Sequence, residues 1–304
     1  MNTIPLTTAG QERFDAWLFP VSNPRATVHI LHGMAEHCLR YQPFAVFLQQ
    51  AGYQVVIHNH LGHGGRLPAG HFADPQQNGW QRLMDDIQQV QQAVCATEPL
   101  FLLGHSMGSF IAQGYAIRHG ERLSGLILSG SDRQPAPMIY AGLAVAHLLR
   151  LLQGPRHLSA LMNQLSFGAF NRHFHPSRTA FDWLSRDRNQ VDNYIDDPLC
   201  GHLCSLQLWI DLLGGLREIG QPQNIAAIPA GLPVYLFGGD QDPVGRMGKG
   251  LPALARHFLR TGHTDVTVKL YTGGRHEMLN ESNAGEVFHD ALAWLNSRLP
   301  PSGN

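Results

Sequence analysis

The sequence has little charge, few cysteines and no long apolar run at its start. Lysine and arginine total 22 against 23 aspartate and glutamate, so the net charge of −1 gives no electrostatic basis for nucleic-acid binding. Met1 to Phe14 lack the apolar stretch of a secretory signal. No paired framework connects the four cysteines, which are Cys38, Cys95, Cys200 and Cys204. These absences predict a reduced, cytoplasmic protein with no nucleic-acid partner.

Histidine is abundant, at 18 residues, so metal binding needs separate consideration. The sequence contains no H-E-x-x-H motif, and His58, His60 and His63 lie in a glycine-rich loop without neighbouring carboxylates. Cys200 and Cys204 stand one helical turn apart in an apolar segment, with no companion Cys or His pair at zinc spacing. We therefore predict neither a metal nor a cofactor, and we interpret the cysteines as structural thiols.

Short apolar segments alternate with helical patterns over most of the chain. An antiparallel edge strand is predicted first, at Arg13 to Phe19. Further strands are predicted at Thr27 to Leu31, Gln54 to His58, Leu100 to Leu103, Gly125 to Ser129, Val234 to Phe237 and Val266 to Tyr271. Helices are predicted at Tyr41 to Ala51, Gly79 to Thr97, 107 to 119 and Glu286 to Arg298. This alternation predicts an α/β fold with a mainly parallel sheet that helices cover on both faces.

One long segment breaks the alternation. Residues 133 to about 230 contain no clear strand and at least two apolar helical segments, Met138 to Leu152 and Leu199 to Leu216. The segment is too long for a connecting loop. We predict that it is an inserted helical cap: the cap spans 133–230, and the core comprises 1–132 and 231–304.

A serine stands between a predicted strand and a predicted helix. The sequence Gly104-His105-Ser106-Met107-Gly108 has the form G-x-S-x-G, in which the serine sits on a sharp, strained turn that exposes its hydroxyl. A β-carbon at either glycine would collide with the neighbouring strand or helix. The helix also directs its N-terminal N–H groups toward the reacting atoms. Ser106 is therefore the predicted nucleophile.

A serine nucleophile needs a base, and the base needs a carboxylate that orients it. His276 follows the last predicted strand in a glycine-flanked loop, so it is the predicted base. His105 is adjacent to Ser106 and cannot easily turn back toward it, so we expect it to shape the turn. Chain order leaves three acids open, which are Asp132, Asp240 and Asp242. We favour Asp242, because Pro243 stiffens the turn after it, then Asp132, then Asp240.

Two backbone N–H groups are predicted to form an oxyanion hole. One belongs to Met107, directly after the nucleophile. The other belongs to Met34, in the loop after the Thr27 strand. Preorganised donors of this kind stabilise the negative charge that develops on the carbonyl oxygen of the substrate.

With these residues in place, the chain resembles the α/β-hydrolases of the monoacylglycerol lipase and lysophospholipase type, the serine aminopeptidase-like (S33) group. The resemblance covers nearly the whole chain. It rests on the segments 31–37, 62–64, 104–108, 182–187, 191–192, 197–200, 239–242 and 276–281. It implies the α/β-hydrolase fold, a catalytic triad of Ser106, Asp242 and His276, and oxyanion donors at Met34 and Met107. Asn59 and Arg66 depart from the pattern, since that family usually has aspartate and serine there.

The expected reaction is hydrolysis of carboxylic esters through an acyl-enzyme, without a cofactor. The apolar cap segments indicate a covered pocket, and the expected substrates are monoacylglycerol-like or lysophospholipid-like lipids or small acyl esters. Met138 to Leu152 is too short to span a bilayer, but it is a hypothetical contact with lipid surfaces. An aminopeptidase or amidase is the alternative within enzymes, for which cap carboxylates would bind a free N-terminus: Asp182, Asp187, Asp192, Asp196 and Asp197. A binding protein with an idle triad is the alternative outside enzymes.

Overall fold

The computed structural model describes residues 1–8, 12–66, 68–72, 77–94 and 98–299. Its strands are Asn2–Thr7 (β1), Arg13–Phe19 (β2), Thr27–Leu31 (β3), Gln54–His58 (β4), Leu100–His105 (β5), Gly125–Ser129 (β6), Val234–Gly239 (β7) and Val266–Tyr271 (β8). They form one sheet in the order β1-β2-β4-β3-β5-β6-β7-β8. Neighbouring strands from β3 to β8 are parallel, which confirms the prediction of a mainly parallel sheet.

The outer end of the sheet differs from the prediction. β2 was expected at the edge, but β1 pairs with it antiparallel, from Asn2 opposite Leu18 to Thr7 opposite Arg13. The side chains of β1 are exposed or only partly buried, so no apolar pattern marks the strand. It also contains Pro5, which is tolerated on an edge strand because one side of that strand needs no hydrogen-bond partner.

Helices cover both faces of the sheet, as predicted. In the described ranges they are Gln42–Gln50 (α1), Gly79–Val94 (α2), Met107–His119 (α3), Ala136–Gln153 (α4), Ala160–Phe167 (α5), Arg188–Asp196 (α6), Leu206–Ile219 (α7), Pro222–Ile225 (α8), Gly250–Arg260 (α9) and Ala284–Ser297 (α10). Leu102 and Leu126 belong to the apolar cluster that includes α2 and α3. Phe101 and Ile127 belong to the opposite cluster, with α1 and α10. Cys95 and Thr97 of the sequence predictions lie outside the described residues.

Residues 133 to 230, all of which are described, contain helices α4 to α8 and no named strand. The second predicted helix of this segment is wrong at its start, because α7 begins at Leu206 rather than near Leu199. Gly201 has a φ of +69°, which interrupts a helix, and the Ser205 hydroxyl accepts the N–H of Leu208 at 3.2 Å and so caps α7. The two neighbouring cysteines, Cys200 and Cys204, therefore precede the helix.

α4 is the most exposed apolar helix of this segment, and Ile139 and Ala146 are its buried residues. It has 18 residues, more than the apolar segment seen in the sequence. In the described part of the chain it is the one helix that is long and apolar enough to cross a membrane by length and composition, and 17% of that stretch is buried in the structure.

Candidate active site

Ser106 occupies a strained turn between β5 and α3. Its φ of 53° and ψ of −121° are unusual for a residue with a side chain. A β-carbon on Gly104 would lie 2.2 Å from the carbonyl oxygen of Gly108, and one on Gly108 would lie 2.3 Å from that of Leu31. The predicted need for both glycines is confirmed: one lets α3 approach β5, and the other lets α3 approach β3.

His276 lies in the loop after β8 and contacts Asp242, which follows β7. Its Nδ1 is 3.0 Å from both carboxylate oxygens of Asp242, and both side chains are buried. The backbone N–H of His276 donates to the carbonyl of Trp183 at 3.4 Å. A ring nitrogen that donates to a carboxylate leaves the opposite nitrogen free to accept a proton.

The other two candidate acids have different partners. Asp132 forms two bonds with Arg246, at 2.7 and 2.8 Å, and its carboxylate also accepts the N–H of Arg133. Asp240 accepts the N–H of Gly273 at 2.8 Å. Among the three aspartates that the sequence left open, the structure brings Asp242 to the imidazole.

Opposing effects set the pKa of His276. Burial lowers it, but the negative charge and the hydrogen bond of Asp242, together with the charges of Glu277 and Glu36, outweigh burial and raise the pKa above its ordinary value of 6.5. The neighbouring His105, whose ring centre is 4.6 Å away, has a pKa well below the ordinary value because it is buried and faces His276. The Nδ1 of His105 lies 3.2 Å from the Ser129 hydroxyl, consistent with a role in shaping the turn.

This raised pKa predicts the acid limb of the pH profile. A general base must be neutral, so with His276 as the predicted base we expect kcat/KM to fall as the pH drops through its raised pKa. We expect a midpoint above 6.5, the ordinary value. Glu277→Gln removes one of the negative charges that raise the pKa, so the midpoint moves to lower pH, whereas Asp265→Asn, in a surface pair with Arg298, leaves it in place. An upward shift in Glu277→Gln would contradict this account.

The loop that carries Met34 is held in a fixed shape. Glu36 accepts the N–H of Gly33 at 2.5 Å and the hydroxyl of Tyr41 at 2.8 Å. Ala35 has a φ of 56°, and its carbonyl accepts the Tyr194 hydroxyl at 3.0 Å. Met34 lines the cavity beside Ser106, and Met107 is the first residue of α3.

A buried ion-pair network, which sequence reasoning missed, joins this loop to the histidine loop. Arg40 Nε lies 3.3 Å from the Glu36 carboxylate, and its Nη2 lies 2.5 Å from that of Glu277, next to His276. Burial raises the pKa of Glu36 to about 7, although Arg40 opposes the shift. The i,i+4 spacing of Glu36 and Arg40 is a sequence signal that could have indicated the first of these ion pairs. No local pattern signalled Glu277, which is distant in sequence.

One cavity of about 180 Å³ brings these elements together. Ser106, His276 and Met34 line it from the carboxyl edge of the sheet. The 133–230 segment supplies aromatic, amide and small residues to the opposite wall, which are Asn163, Gln164, Phe167, Gly168, Ala180, Phe181, Trp183, Leu184, Tyr194, Gly201 and His202. The site is therefore a partly open pocket with a mixed polar and apolar lining that includes a serine.

The five candidate aspartates of the predicted cap do not line this cavity. Asp182 accepts two backbone N–H groups and a hydroxyl in its own turn, and Asp187 caps α6. Asp192 pairs with Arg178 at 2.6 Å, and Asp197 pairs with His37 at 2.7 Å. The carboxylates that do line the cavity, Glu36 and Glu277, are paired with Arg40. The feature expected of an aminopeptidase pocket is therefore not found among the described residues.

The two departures from the family pattern contact each other. Arg66 Nη1 donates to the carbonyl of Asn59 at 3.1 Å and to Asp86 at 2.8 Å, and its guanidinium lies 4.0 Å from the ring centre of Phe14. Asn59 accepts the N–H of Cys38 at 2.9 Å. The pair anchors the glycine-rich loop, and neither residue lines the cavity that contains Ser106 and His276.

Comparison with known proteins finds similarity along nearly the whole chain. The family model described as "Serine aminopeptidase, S33" matches residues 22–283. Monoglyceride lipase of Rattus norvegicus is 28% identical over 298 residues, which cover 97% of this chain and 90% of that protein. Phospholipase YtpA of Bacillus subtilis is 31% identical over 287 residues, 93% of this chain and 100% of that protein. The structure of a thermostable carboxyl esterase from Bacillus coagulans in complex with glycerol matches with a TM-score of 0.88 at 29% identity, covering 97% and 98% of the two chains.

Proposed function

Because the chain belongs to the serine aminopeptidase S33 family and has the α/β-hydrolase fold, we propose that it is a serine hydrolase that cleaves carboxylic esters. One observation carries the proposal: the same cavity is lined by Ser106, on its strained turn, and by His276, whose Nδ1 contacts Asp242. The names of the similar proteins, which are a monoglyceride lipase, a phospholipase and a carboxyl esterase, favour esters over amides.

The proposed reaction passes through an acyl-enzyme. His276 Nε2 takes the hydroxyl proton of Ser106 as the Oγ attacks the ester carbonyl carbon. The same proton then passes to the departing alcohol. A water molecule, deprotonated by His276, then attacks the acyl carbon. The bond between that carbon and Ser106 Oγ breaks, His276 returns the proton to Oγ, and the acid leaves. Asp242 fixes the imidazole tautomer, and the N–H groups of Met34 and Met107 stabilise the oxyanion.

The size of the cavity supports short acyl groups. Its volume of about 180 Å³ is below the range of about 300–1,000 Å³ that is typical of ligand pockets. The amides of Asn163 and Gln164 stand beside the aromatic rings of Phe167 and Phe181 in its wall. We propose that short or medium acyl esters of glycerol or similar small alcohols fit best, since longer chains must extend beyond the cavity into solvent.

A substrate screen tests this function. We expect kcat/KM for glycerol and p-nitrophenyl esters to be highest from butyryl to octanoyl and to fall at least about tenfold at palmitoyl. Aminoacyl nitroanilides serve as the amide comparison and should react far more slowly. Faster cleavage of the anilides would overturn the ester assignment, and a palmitoyl optimum would overturn only the size argument.

Exposed leucines lie on two helices of the 133–230 segment, and one of these helices, α5, also lines the cavity. On α4, Leu148, Leu151 and Leu152 are 59%, 83% and 72% exposed. On α5, whose other face lines the cavity, Leu161 and Leu165 are also exposed. Large apolar patches of this kind mark contact sites. We propose that this surface rests on lipid aggregates while the cavity takes up substrate.

Vesicle binding tests that surface. Leu151→Ser with Leu152→Ser should lower the partition constant for phosphatidylcholine vesicles, measured by co-sedimentation, about a hundredfold or more, because each leucine contributes about 1.5–3 kcal/mol when it is fully buried in the lipid. Leu259→Ser is the matched control, since Leu259 is 53% exposed on α9, outside the cap. Equal binding by the double variant and the control would count against lipid contact.

Two further proposals concern the domain organisation and the cellular location. Residues 133–230 are proposed to act as a cap on a core of 1–132 and 231–304, although α7 packs into the main apolar cluster with α2 and α3.

A cytoplasmic location is proposed as well. It is supported by the free thiols of Cys38, Cys200 and Cys204, and cell fractionation tests it.

A further inference from the structure

Three side chains with metal-binding atoms meet where the glycine-rich loop touches the cap. The side chains are those of His63, from the loop after β4, and of His202 and Cys204, from the segment before α7. Their nitrogen and sulfur atoms all lie within 4.8 Å of one another. No zinc-binding spacing is visible in the sequence, because His63 is distant in the chain from the other two and only the fold brings them together.

The backbone holds the two segments firmly against each other. Ser205 N–H donates to the carbonyl of Gly70 at 2.8 Å, and Gly70 N–H donates to the carbonyl of Gly62 at 2.8 Å. A β-carbon on Gly70 would lie 2.0 Å from the carbonyl oxygen of Leu203. The positions of the three side chains are therefore set by packing and not by a loose loop.

The imidazole of His63 already has the form that a metal requires. Its Nδ1 donates to the carbonyl of Leu61 at 2.8 Å, so its Nε2 carries the lone pair. That Nε2 is fully buried and has no hydrogen-bond partner among the described residues. Metal-bound histidines commonly donate their other nitrogen to a backbone carbonyl in this way.

The other two side chains with metal-binding atoms, His202 and Cys204, are also poorly supplied with hydrogen-bond partners. Neither ring nitrogen of His202 has a partner at full hydrogen-bond geometry in the described part of the chain, and its ring centre is 5.3 Å from that of His63. Burial lowers the pKa of His202, and an interaction with the Leu199 backbone opposes that shift, so at most one of the two nitrogens is engaged. Cys204 is a buried free thiol. Burial lowers the pKa of His63 to about 3 and raises that of Cys204 to about 12. Without a cation all three groups are neutral, and burial separates their lone pairs from water without supplying another partner.

The second cluster of this kind is different. In the set His37, Asp197 and Cys200, the imidazole Nε2 already lies 2.7 Å from the Asp197 carboxylate, and the Cys200 sulfur contacts Arg40. An arginine beside the sulfur repels a cation. This set is therefore a hydrogen-bonded group, and it supplies a control cysteine four residues from Cys204.

We propose that His63 Nε2, a ring nitrogen of His202 and Cys204 Sγ bind one Zn²⁺ ion. Two imidazoles and one thiol are a donor set that zinc prefers, and three protein ligands leave a fourth position for water or another small ligand. The Cys204 thiol loses its proton to solvent as the sulfur–zinc bond forms, whereas the imidazoles bind in their neutral form. Because His63 belongs to the core and the other ligands to the 133–230 segment, the ion ties the two together. His202 also lines the cavity that contains Ser106.

Cobalt titration of the full-length protein tests the site independently of ester hydrolysis. The protein is treated with chelator, freed of it, kept reduced and titrated with Co²⁺. We expect one equivalent to produce a thiolate-to-cobalt charge-transfer band and the strong visible bands of a tetrahedral ion, and Zn²⁺ to displace it. Affinity should rise about tenfold per pH unit, since one thiol proton is released per ion. Wild-type protein without the charge-transfer band would overturn the proposal.

Variants assign the ligands. Cys204→Ser should abolish the charge-transfer band, and His202→Gln should weaken Co²⁺ binding at least about tenfold. Cys200→Ser should retain both the band and the affinity. A band lost in Cys200→Ser and kept in Cys204→Ser would overturn the assignment. Zn²⁺ should also raise the melting temperature of the wild type and of Cys200→Ser but not of Cys204→Ser.

Discussion

Ester hydrolysis by Ser106→Ala is expected to be about 10⁵- to 10⁶-fold slower than by the wild type in kcat, with little change in KM for short esters. The alanine keeps the backbone turn and the cavity wall but removes the oxygen that forms the acyl-enzyme. Residual hydrolysis would then depend on water and the oxyanion donors alone. Steady-state kinetics with the best ester from the substrate screen measures the loss.

A fluorophosphonate probe separates loss of the nucleophile from loss of folding. It should label the wild type and Ser282→Ala, whose serine is exposed in the histidine loop, and fail to label Ser106→Ala. Circular dichroism should show the same melting transition in all three proteins. Labelling of Ser106→Ala at the wild-type rate would mean that another residue is the nucleophile.

The parts of the fold that repeat a local pattern could be predicted from the sequence. Strands such as Thr27–Leu31 and Gly125–Ser129 lie where the apolar runs predicted them. Both glycines of the serine turn have the close contacts that were expected. These features depend on neighbours in the chain, and periodicity and turn chemistry report such neighbours directly.

Features that depend on distant contacts could not be predicted in the same way. β1 has no apolar stripe, because its place in the sheet depends on the antiparallel pairing with β2. The start of α7 is set by a serine cap and a left-handed glycine inside an otherwise apolar run. The link from Glu36 through Arg40 to Glu277 and the cluster of His63 with Cys204 join segments far apart in the sequence. Only the fold determines which of these residues meet.

The sequence left open which of three aspartates orients His276. Substitution of that aspartate is expected to cause the second large loss of activity. Asp242→Asn should lower kcat about 10⁴-fold, because the asparagine amide would donate to Nδ1 of His276 and hold the imidazole in the wrong tautomer. The side chain keeps its size, so KM for short esters should change little. The pH profile should also lose the raised acid limb, since Asp242 is the principal group that raises the pKa of His276.

Asp132→Asn and Asp240→Asn are the matched controls, because each removes one charge from the same end of the sheet. Asp132 holds Arg246 through two bonds, so Asp132→Asn should lower the free energy of unfolding by about 1–3 kcal/mol while kcat stays near the wild-type value. Asp240 accepts the N–H of Gly273, an interaction that an asparagine oxygen also provides, so Asp240→Asn should alter neither quantity much. Urea unfolding and kinetics on the same samples distinguish stability from catalysis. A 10⁴-fold loss in Asp132→Asn with an active Asp242→Asn would transfer the role of the acid to Asp132, because only the carboxylate that orients His276 can affect kcat so strongly at constant fold.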